Sequence, residues 1–259
     1  MLRRIITVLA LSMLATVSAP ALSQERVALV IGNGKYVHAG ALPNPANDAR
    51  EVAMALRDIG FDVSQGSDLD RNGMERLIRD FMRKLSGSKI ALLFYAGHGM
   101  QIGGRNYLVP VDARLETSAD LSFETIELDR LLDSLADPQR ATVVILDACR
   151  DNPLARSFAG KLGAARSGAV GAGLAAYANP GTGTLIAFAT APDKVALDGQ
   201  GANSPFTLGL VKHLRTPGPR SSPIADPRAQ GRGRRDRRPP DSVGQFLAAG
   251  RCLFDWRTE

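Results

Sequence analysis

The sequence has few of the residues from which metal centres and disulfide frameworks are built. Its 259 residues include two cysteines and three histidines, and the histidines are scattered at positions 38, 98 and 213. Two cysteines cannot form a disulfide framework, and the histidines and cysteines do not show zinc-ligand spacing. A dense group of carboxylates, such as calcium requires, is missing from the sequence too. We therefore expect no metal and no cofactor.

Aromatic residues and long apolar runs are also scarce. Aromatics make up 5% of the residues, so the core must consist mainly of Ala, Val, Ile and Leu. The content of 44% hydrophobic and 22% charged residues is that of an ordinary globular protein, which excludes collagen-like, coiled-coil and wholly disordered classes. Beyond the N-terminal region, no apolar run is long enough to cross a membrane.

Residues 1–23 have the pattern of a secretory signal peptide. Arg3 and Arg4 precede an apolar run over residues 5–17, and the small residues Ala21 and Ser23 follow it. A positive start, an apolar stretch of this length and an Ala-x-Ser ending are typical of a cleavable signal. The run is short for a membrane span, and an uncleaved N-terminal anchor is the alternative. We expect cleavage after Ser23, or after Ala21, and a periplasmic or secreted protein without membrane contact.

The net charge of +6 is unevenly distributed. Residues 217–259 contain nine arginines and five acidic residues, so this tail carries a net charge of +4. A basic tail can indicate nucleic acid or an anionic surface as a partner. The preceding residues carry 23 basic and 21 acidic groups and give no such indication. Since these preceding residues form the main domain, we expect no nucleic-acid partner.

Between residues 24 and 216, short apolar runs alternate with helical patterns. The apolar runs predict strands over residues 26–31, 61–64, 89–95, 141–146 and 185–189, and a hairpin over 100–109. Helical spacing predicts helices over residues 47–59, 72–85, 125–135 and 205–214. This alternation favours an α/β domain with a mostly parallel central sheet and helices on both faces. The Gly- and Ala-rich residues 152–183 are interpreted as a flexible connector inside this domain.

Two predicted strand ends carry candidate catalytic residues. His98 lies between two glycines just after the strand at 89–95, and Cys149 follows the strand at 141–146. Functional groups of open α/β sheets collect beyond the carboxyl ends of the strands, so neighbouring strands would bring the two side chains together. An imidazole beside a thiol favours the thiolate and serves as acid and base. The backbone N–H groups of Gly99 and Cys149 are then candidates for stabilising an oxyanion. Each residue considered alone has a structural alternative. His98 could be a hydrogen-bonded histidine of a turn, and Cys149 could be an inert small residue of the core.

Four sequence blocks resemble the caspase-domain peptidases, in particular their paracaspase and metacaspase branch. The blocks are ALVIGN at 28–33, YAGHG at 95–99, LVPVDA at 108–113 and LDACR at 146–150. The resemblance extends from about residue 26 to residue 215 and implies a caspase-like three-layer sandwich. It also implies a cysteine endopeptidase that acts on proteins or peptides, with His98 and Cys149 as the catalytic dyad.

The same resemblance implies an acidic substrate pocket. In the paracaspase and metacaspase branch, two aspartates form the S1 pocket that binds Arg or Lys at P1, the residue before the cleaved bond. The matching positions are Asp147, two residues before Cys149, and Asp48 in the Asn-Asp-Ala setting of residues 47–49. Two carboxylates can hold a guanidinium bidentately and disfavour an acidic P1 residue. The alternatives are a helix N-cap for Asp48 and a strand-end turn residue for Asp147.

The tail differs from the C-terminal segment that the resemblance implies. Members of the family often end through a segment containing Trp-Asp-Asn-Ser. Codons permitted for residues 243–247 (GTG GGA CAA TTC CTC) encode those four residues when they are read one base later. This compatibility favours a single-base frameshift just after Gly218, in the gene or in its sequencing. The alternative is a genuine disordered basic tail.

The sequence leaves the activity and activation of the domain open. Caspase-domain enzymes are often cleaved between the two halves of the domain, and Arg156, Lys161 and Arg166 in the connector are candidate sites for self-cleavage. An uncut surface loop is the alternative. A catalytically silent caspase-fold interaction module is the alternative to an enzyme. A disulfide between Cys149 and Cys252 is a further alternative in an oxidising compartment. The oligomeric state is not determined by the sequence.

Overall fold

The computed structural model describes residues 25–148, 153–161, 170–171, 174–175, 183–189 and 201–216. The predicted signal peptide, Cys149, Arg166 and the basic tail lie outside these residues. Along the described part of the chain, no helix combines the length and the apolar character needed to cross a membrane.

The described strands form two sheets. They are β1 (Arg26–Gly32), β2 (Asp62–Ser67), β3 (Ile90–Ala96), β4 (Gly99–Ile102), β5 (Arg105–Leu108), β6 (Ile126–Glu127), β7 (Ala141–Asp147), β8 (Val170–Gly171) and β9 (Thr184–Phe188). The larger sheet is parallel throughout and has the order β2-β1-β3-β7-β9. The smaller sheet is antiparallel, with the order β6-β5-β4-β8, and contains the predicted hairpin.

Helices cover both faces of the parallel sheet. The described helices are α1 (Pro45–Asp58), α2 (Arg71–Lys84), α3 (Asp120–Glu124), α4 (Leu128–Leu135), α5 (Pro153–Lys161) and α6 (Pro205–Leu214). Alternate residues of β1 pack on opposite faces: Val27 and Leu29 join a core with α2 and α4, whereas Ala28 and Val30 join a core with α1 and α6. A strand buried on both faces must be apolar throughout, which explains the continuous apolar runs. The predicted three-layer α/β architecture is therefore confirmed.

Two predicted helices differ from the observed ones at their starts. The helix predicted from residue 47 begins at Pro45, whose fixed φ suits the first turn of a helix. The helix predicted over 125–135 begins only at Leu128, because Ile126 pairs with Leu108 as the short edge strand β6. Strand pairing therefore replaces the first turn that the apolar spacing predicted.

The predicted flexible connector contains a helix. Residues 153–161 form α5, and Phe158 on this helix is fully buried in a third apolar core with Met100 and Leu115. Lys161 ends α5, forms an ion pair with Glu116 at 2.7 Å and donates to the backbone carbonyl of Leu115. The expectation of a flexible connector was wrong for these residues, since Phe158 and its buried apolar neighbours on α5 pack into this core. Arg156 also lies on α5, so cleavage at Arg156 or Lys161 requires local unfolding first.

Candidate active site

Three neighbouring parallel strands end at one edge of the central sheet. In the register of the sheet, Gly32 of β1 lies opposite Ala96 of β3, and Ala96 lies opposite Asp147 of β7. His98 follows Ala96 by two residues, and Cys149 follows Asp147 by two residues. The predicted neighbourhood of the two strands is therefore confirmed, while Cys149 itself lies outside the described residues.

The loop that carries His98 touches the end of β7. The backbone N–H of Gly97 donates to the carbonyl oxygen of Asp147 at 3.2 Å. A Cβ atom at Gly99 would lie 3.0 Å from the carbonyl oxygen of Ala148 and 3.3 Å from its Cβ, which is closer than a side chain normally tolerates. Glycine at position 99 therefore permits the close approach of this loop to the residue that precedes Cys149.

Gly97 has a conformation that only glycine adopts easily at this place. Its φ is +155°, and a Cβ atom would lie 2.6 Å from the hydroxyl oxygen of Tyr36 and 2.8 Å from that of Tyr95. Both the backbone conformation and the two hydroxyl groups therefore require the absence of a side chain. This residue sets the direction in which the chain turns from β3 into His98.

His98 is held by a network of backbone and tyrosine contacts. It is 1% exposed, and its backbone N–H donates to the Tyr36 hydroxyl at 2.6 Å. Its carbonyl oxygen accepts from the Tyr95 hydroxyl at 2.8 Å and from the Val109 N–H at 3.1 Å. The Tyr36 ring packs against the imidazole with the ring centroids 4.4 Å apart. The position and the orientation of His98 are therefore both constrained.

The imidazole has a defined tautomer. Nε2 of His98 lies 2.8 Å from the carbonyl oxygen of Gly40. A carbonyl oxygen can only accept a hydrogen bond, so Nε2 carries a proton and Nδ1 is the nitrogen that accepts a proton in the neutral ring. The hydrogen bond to Gly40 therefore leaves Nδ1 as the proton-accepting nitrogen of the ring.

The loop that supplies the Gly40 carbonyl follows β1 and is anchored by Asp68. The Asp68 carboxylate accepts the backbone N–H groups of Gly34 and Lys35 at 2.9 and 3.0 Å and pairs with the Lys35 ammonium at 3.2 Å. Burial by itself raises the pKa of Asp68, but the two N–H groups and the ammonium together hold its pKa below the usual range. The anchor is therefore a charged carboxylate at neutral pH.

Asp48 and Asp147, the two predicted S1 aspartates, belong to one buried hydrogen-bond network. Both are fully buried. Oδ1 of Asp48 accepts the side-chain amide of Asn203 at 3.0 Å and the backbone N–H of Ser204 at 2.9 Å. Oδ2 of Asp147 accepts the hydroxyl of Ser204 at 2.6 Å. The structure therefore brings the two aspartates to the same residue, although they lie 99 positions apart in the sequence.

The helix-cap alternative for Asp48 does not account for these contacts. Asn44, not Asp48, occupies the N-cap position of α1, and no side-chain cap bond is formed there. Asp48 lies inside the first turn of α1 and uses its carboxylate to bind residues of a distant segment. Asp147 is the last residue of β7, and its carboxylate accepts the hydroxyl of Ser204. The interpretation of Asp48 as a helix cap was wrong.

The electrostatics of the pair depend on the start of α6. Two buried carboxylates repel each other, so each needs donors that stabilise its charge. Ser204 is the N-cap residue of α6, and the N-terminus of a helix carries a partial positive charge. The helix start therefore supplies both the donors and a favourable field for anionic side chains.

Sequence reasoning missed Tyr36, Gly40 and Ser204. Gly40 acts through a backbone carbonyl, which has no signature in the sequence. Tyr36 lies three residues beyond the Gly-Asn pair after β1 and resembles any loop aromatic. Ser204 precedes Pro205, a pattern that predicts a helix start but not the two carboxylates that Ser204 contacts.

A comparison with protein-family models supplies the identity of this fold. The model of the caspase domain matches residues 25–226. The chain belongs to the caspase-domain family. Two curated relatives of this domain are the mucosa-associated lymphoid tissue lymphoma translocation protein 1 of Homo sapiens and its homolog of Mus musculus. Each is 32% identical over 130 residues, which is 50% of this chain and 15% of the relative.

The caspase-domain assignment confirms the resemblance to the paracaspase and metacaspase branch. This caspase domain is therefore a cysteine-peptidase-like domain, and the chain spans about one seventh of the length of the curated relatives it matches. Among the described residues of the domain, no group of three His, Cys, Asp or Glu side chains is arranged to hold a metal ion.

Proposed function

We propose that this chain is a cysteine endopeptidase that cleaves peptide bonds after Arg or Lys, with Cys149 as the nucleophile and His98 as the acid and base. The observation that carries the proposal is the contact between the loop over residues 97–99 and the end of β7. Because Cys149 is the next residue after Ala148, this contact supports a catalytic pair of Cys149 with the buried imidazole.

In the proposed reaction, the Cys149 thiol transfers its proton to Nδ1 of His98, and the sulfur attacks the carbonyl carbon of the substrate. The N–H groups of Gly99 and Cys149 stabilise the oxyanion that forms. When the carbon–nitrogen bond breaks, His98 returns the proton to the leaving amine and a thioester remains. A water molecule, deprotonated by His98, then attacks the thioester and releases the carboxylic acid and the thiol. The hydrogen bond from Nε2 to Gly40 keeps Nδ1 available for both transfers.

The proposed preference for Arg or Lys rests on charge. Asp48 and Asp147 are both buried, and the donors described for them, an amide, a backbone N–H and a hydroxyl, are neutral. A cationic P1 side chain would compensate the negative charge of the pair, and a guanidinium can bind two carboxylate oxygens at once. An acidic P1 side chain would be repelled by the same pair.

The test is the hydrolysis of fluorogenic peptides that differ only at P1, with Arg, Lys, Asp and the neutral arginine analogue citrulline. We expect turnover after Arg and Lys, and its loss in Cys149→Ala and His98→Ala. In the chain with the given sequence, Cys252→Ala is the matched control and should retain activity, since this cysteine has no proposed role. Asp48→Asn and Asp147→Asn should reduce the preference for Arg over citrulline. Turnover that persists in Cys149→Ala would overturn the mechanism, and cleavage after Asp alone would overturn the specificity.

We further propose that residues 1–23 direct secretion and are removed, and that the residues after Gly218 come from a shifted reading frame. Mass measurement of the protein from the periplasm or medium would show the loss of residues 1–23, and a full-length mass would refute it. Resequencing the gene decides the reading frame. The peptide assay is run on the chain as written and on the chain with the frame restored, and inactivity of both would favour the silent interaction module.

A further inference from the structure

The segment over residues 203–204 connects the two proposed S1 aspartates. Ser204 donates to Asp48 through its backbone N–H and to Asp147 through its hydroxyl. Asn203 adds a second donor to the same oxygen of Asp48. Ser204 is fully buried, and Asn203 is half-buried. One short segment therefore fixes an oxygen of each carboxylate.

The hydroxyl of Ser204 has a determined direction. Its oxygen accepts the backbone N–H of Thr207 at 3.0 Å, which is the N-cap bond of α6. The single hydroxyl proton therefore has no role in that bond and points at Asp147, whose oxygen lies 2.6 Å away. A hydroxyl that accepts on one side and donates on the other ties the orientation of the Asp147 carboxylate to the start of α6.

We propose that Ser204, together with Asn203, is a positioning residue for the recognition of a basic P1 side chain. The proposal rests on the proposed function, because it assumes that Asp48 and Asp147 contact the P1 residue. Ser204 and Asn203 act through the aspartates: they hold both carboxylates in one arrangement before substrate arrives. Losing these bonds lets the carboxylates adopt more arrangements before substrate arrives, which weakens binding rather than the chemical step.

The first experiment compares Asn203→Ala, Ser204→Gly and Ser204→Ala in the full chain with peptides ending in Arg or citrulline. Removing a hydrogen bond to a charged group typically weakens an interaction about tenfold or more. We expect KM for the Arg peptide to rise about tenfold in each variant with kcat within about threefold of the wild type. The KM for the citrulline peptide should change little, so the preference for Arg declines by the same factor.

Asp70→Ala is the matched control. Asp70 caps α2 by accepting the N–H of Gly73, as Ser204 caps α6, but α2 packs on the opposite face of the sheet. Loss of either cap should lower the melting temperature to a similar extent. Glycine retains most of the N-cap preference, so Ser204→Gly separates the donated bond from helix capping. If Ser204→Gly and Asn203→Ala have the KM of Asp70→Ala, the proposal is overturned.

A second readout does not depend on turnover. The carboxyl-carbon resonances of Asp48 and Asp147 in 13C NMR report their hydrogen bonds directly. We expect the Asp147 resonance to shift in Ser204→Gly, which loses the hydroxyl but keeps the backbone N–H to Asp48, the Asp48 resonance to shift in Asn203→Ala, and neither to shift in Asp70→Ala. Shifts without any cleavage after Arg or Lys would refute the proposed function, and the role in P1 recognition with it, while the hydrogen bonds to the aspartates would stand. Cleavage after Arg with unshifted resonances would refute the positioning role alone.

Discussion

The substitution Tyr36→Phe tests how the fold holds the imidazole of His98. The Tyr36 hydroxyl accepts the backbone N–H of His98 at 2.6 Å, and the ring packs against the imidazole. Phenylalanine retains the ring and removes the hydroxyl, which also lies 3.4 Å from the Tyr95 hydroxyl. The change therefore removes the shorter bond to the backbone of the proposed catalytic base together with this longer contact to Tyr95.

The size of the effect follows from burial. Tyr36 is 8% exposed and His98 is 1% exposed, so water cannot easily replace the lost hydroxyl. A buried donor left without its acceptor costs about 1–3 kcal/mol. We expect the free energy of unfolding to fall by that amount. Relaxation of the loop would also displace the imidazole, and a misplacement of about 1 Å can cost on the order of 100-fold in rate.

The assay is the hydrolysis of the Arg peptide together with chemical denaturation. We expect kcat to fall by about tenfold or more while KM stays within about twofold, since Tyr36 acts through His98 and not through the aspartates. Tyr107→Phe is the control, because Tyr107 lies in the groove between α2 and α4 and loses the same atom. A normal kcat in a destabilised Tyr36→Phe variant would refute the positioning of His98 by this bond.

Two further predictions concern stability. Arg140 is buried, and its guanidinium donates to the carbonyl oxygens of Leu85 and Leu135 at the ends of α2 and α4. Arg140→Met should therefore cost about 2–3 kcal/mol in denaturation, whereas Arg130→Met at an exposed ion pair should cost less than about 1 kcal/mol. Because the pKa of Asp68 is lowered by folding, its charged form stabilises the fold above the unfolded pKa of about 4, and this contribution disappears as the pH falls through the lower folded pKa. The melting temperature of Asp68→Asn should match that of the wild type below this range and lie under it at pH 6; an equal difference at every pH would contradict the anchor.

The central sheet was predictable from the sequence because its inner strands β1, β3 and β7 are apolar runs between polar turns. The runs that predicted β1, β3 and β7 are buried on both faces, so they show an unbroken pattern that no nearby helix imitates. The alternation of strands and helices then indicated parallel pairing, which places the residues after β3 and β7 at one edge. The place of His98 at this edge followed from that order.

The connector and the supports of the site were not predictable in this way. Residues 153–161 resemble a flexible segment because small residues dominate, yet Phe158 anchors them as α5 in a core that includes residues from β4. The support for His98 includes the carbonyl of Gly40, which any residue type supplies. Ser204 contacts Asp48 across 156 positions, a contact that only the packing of α6 beside α1 creates. Local sequence patterns do not record such long-range contacts.

The proposed recognition of P1 and the proposed chemistry have different supports at the same sheet edge. The described contacts of His98 come from the loop after β1, from Tyr95 on β3 and from Val109 after the hairpin, whereas the described side-chain bonds of the aspartates come from residues 203–204. Weakening one support should therefore leave the other in place, so the losses in kcat/KM of Tyr36→Phe and Ser204→Gly should add in free energy. One described hydrogen bond connects the two supports: the Gly97 N–H donates to the Asp147 carbonyl oxygen. A double-mutant cycle with a coupling above about 0.5 kcal/mol would mean that this link moves both supports as one unit.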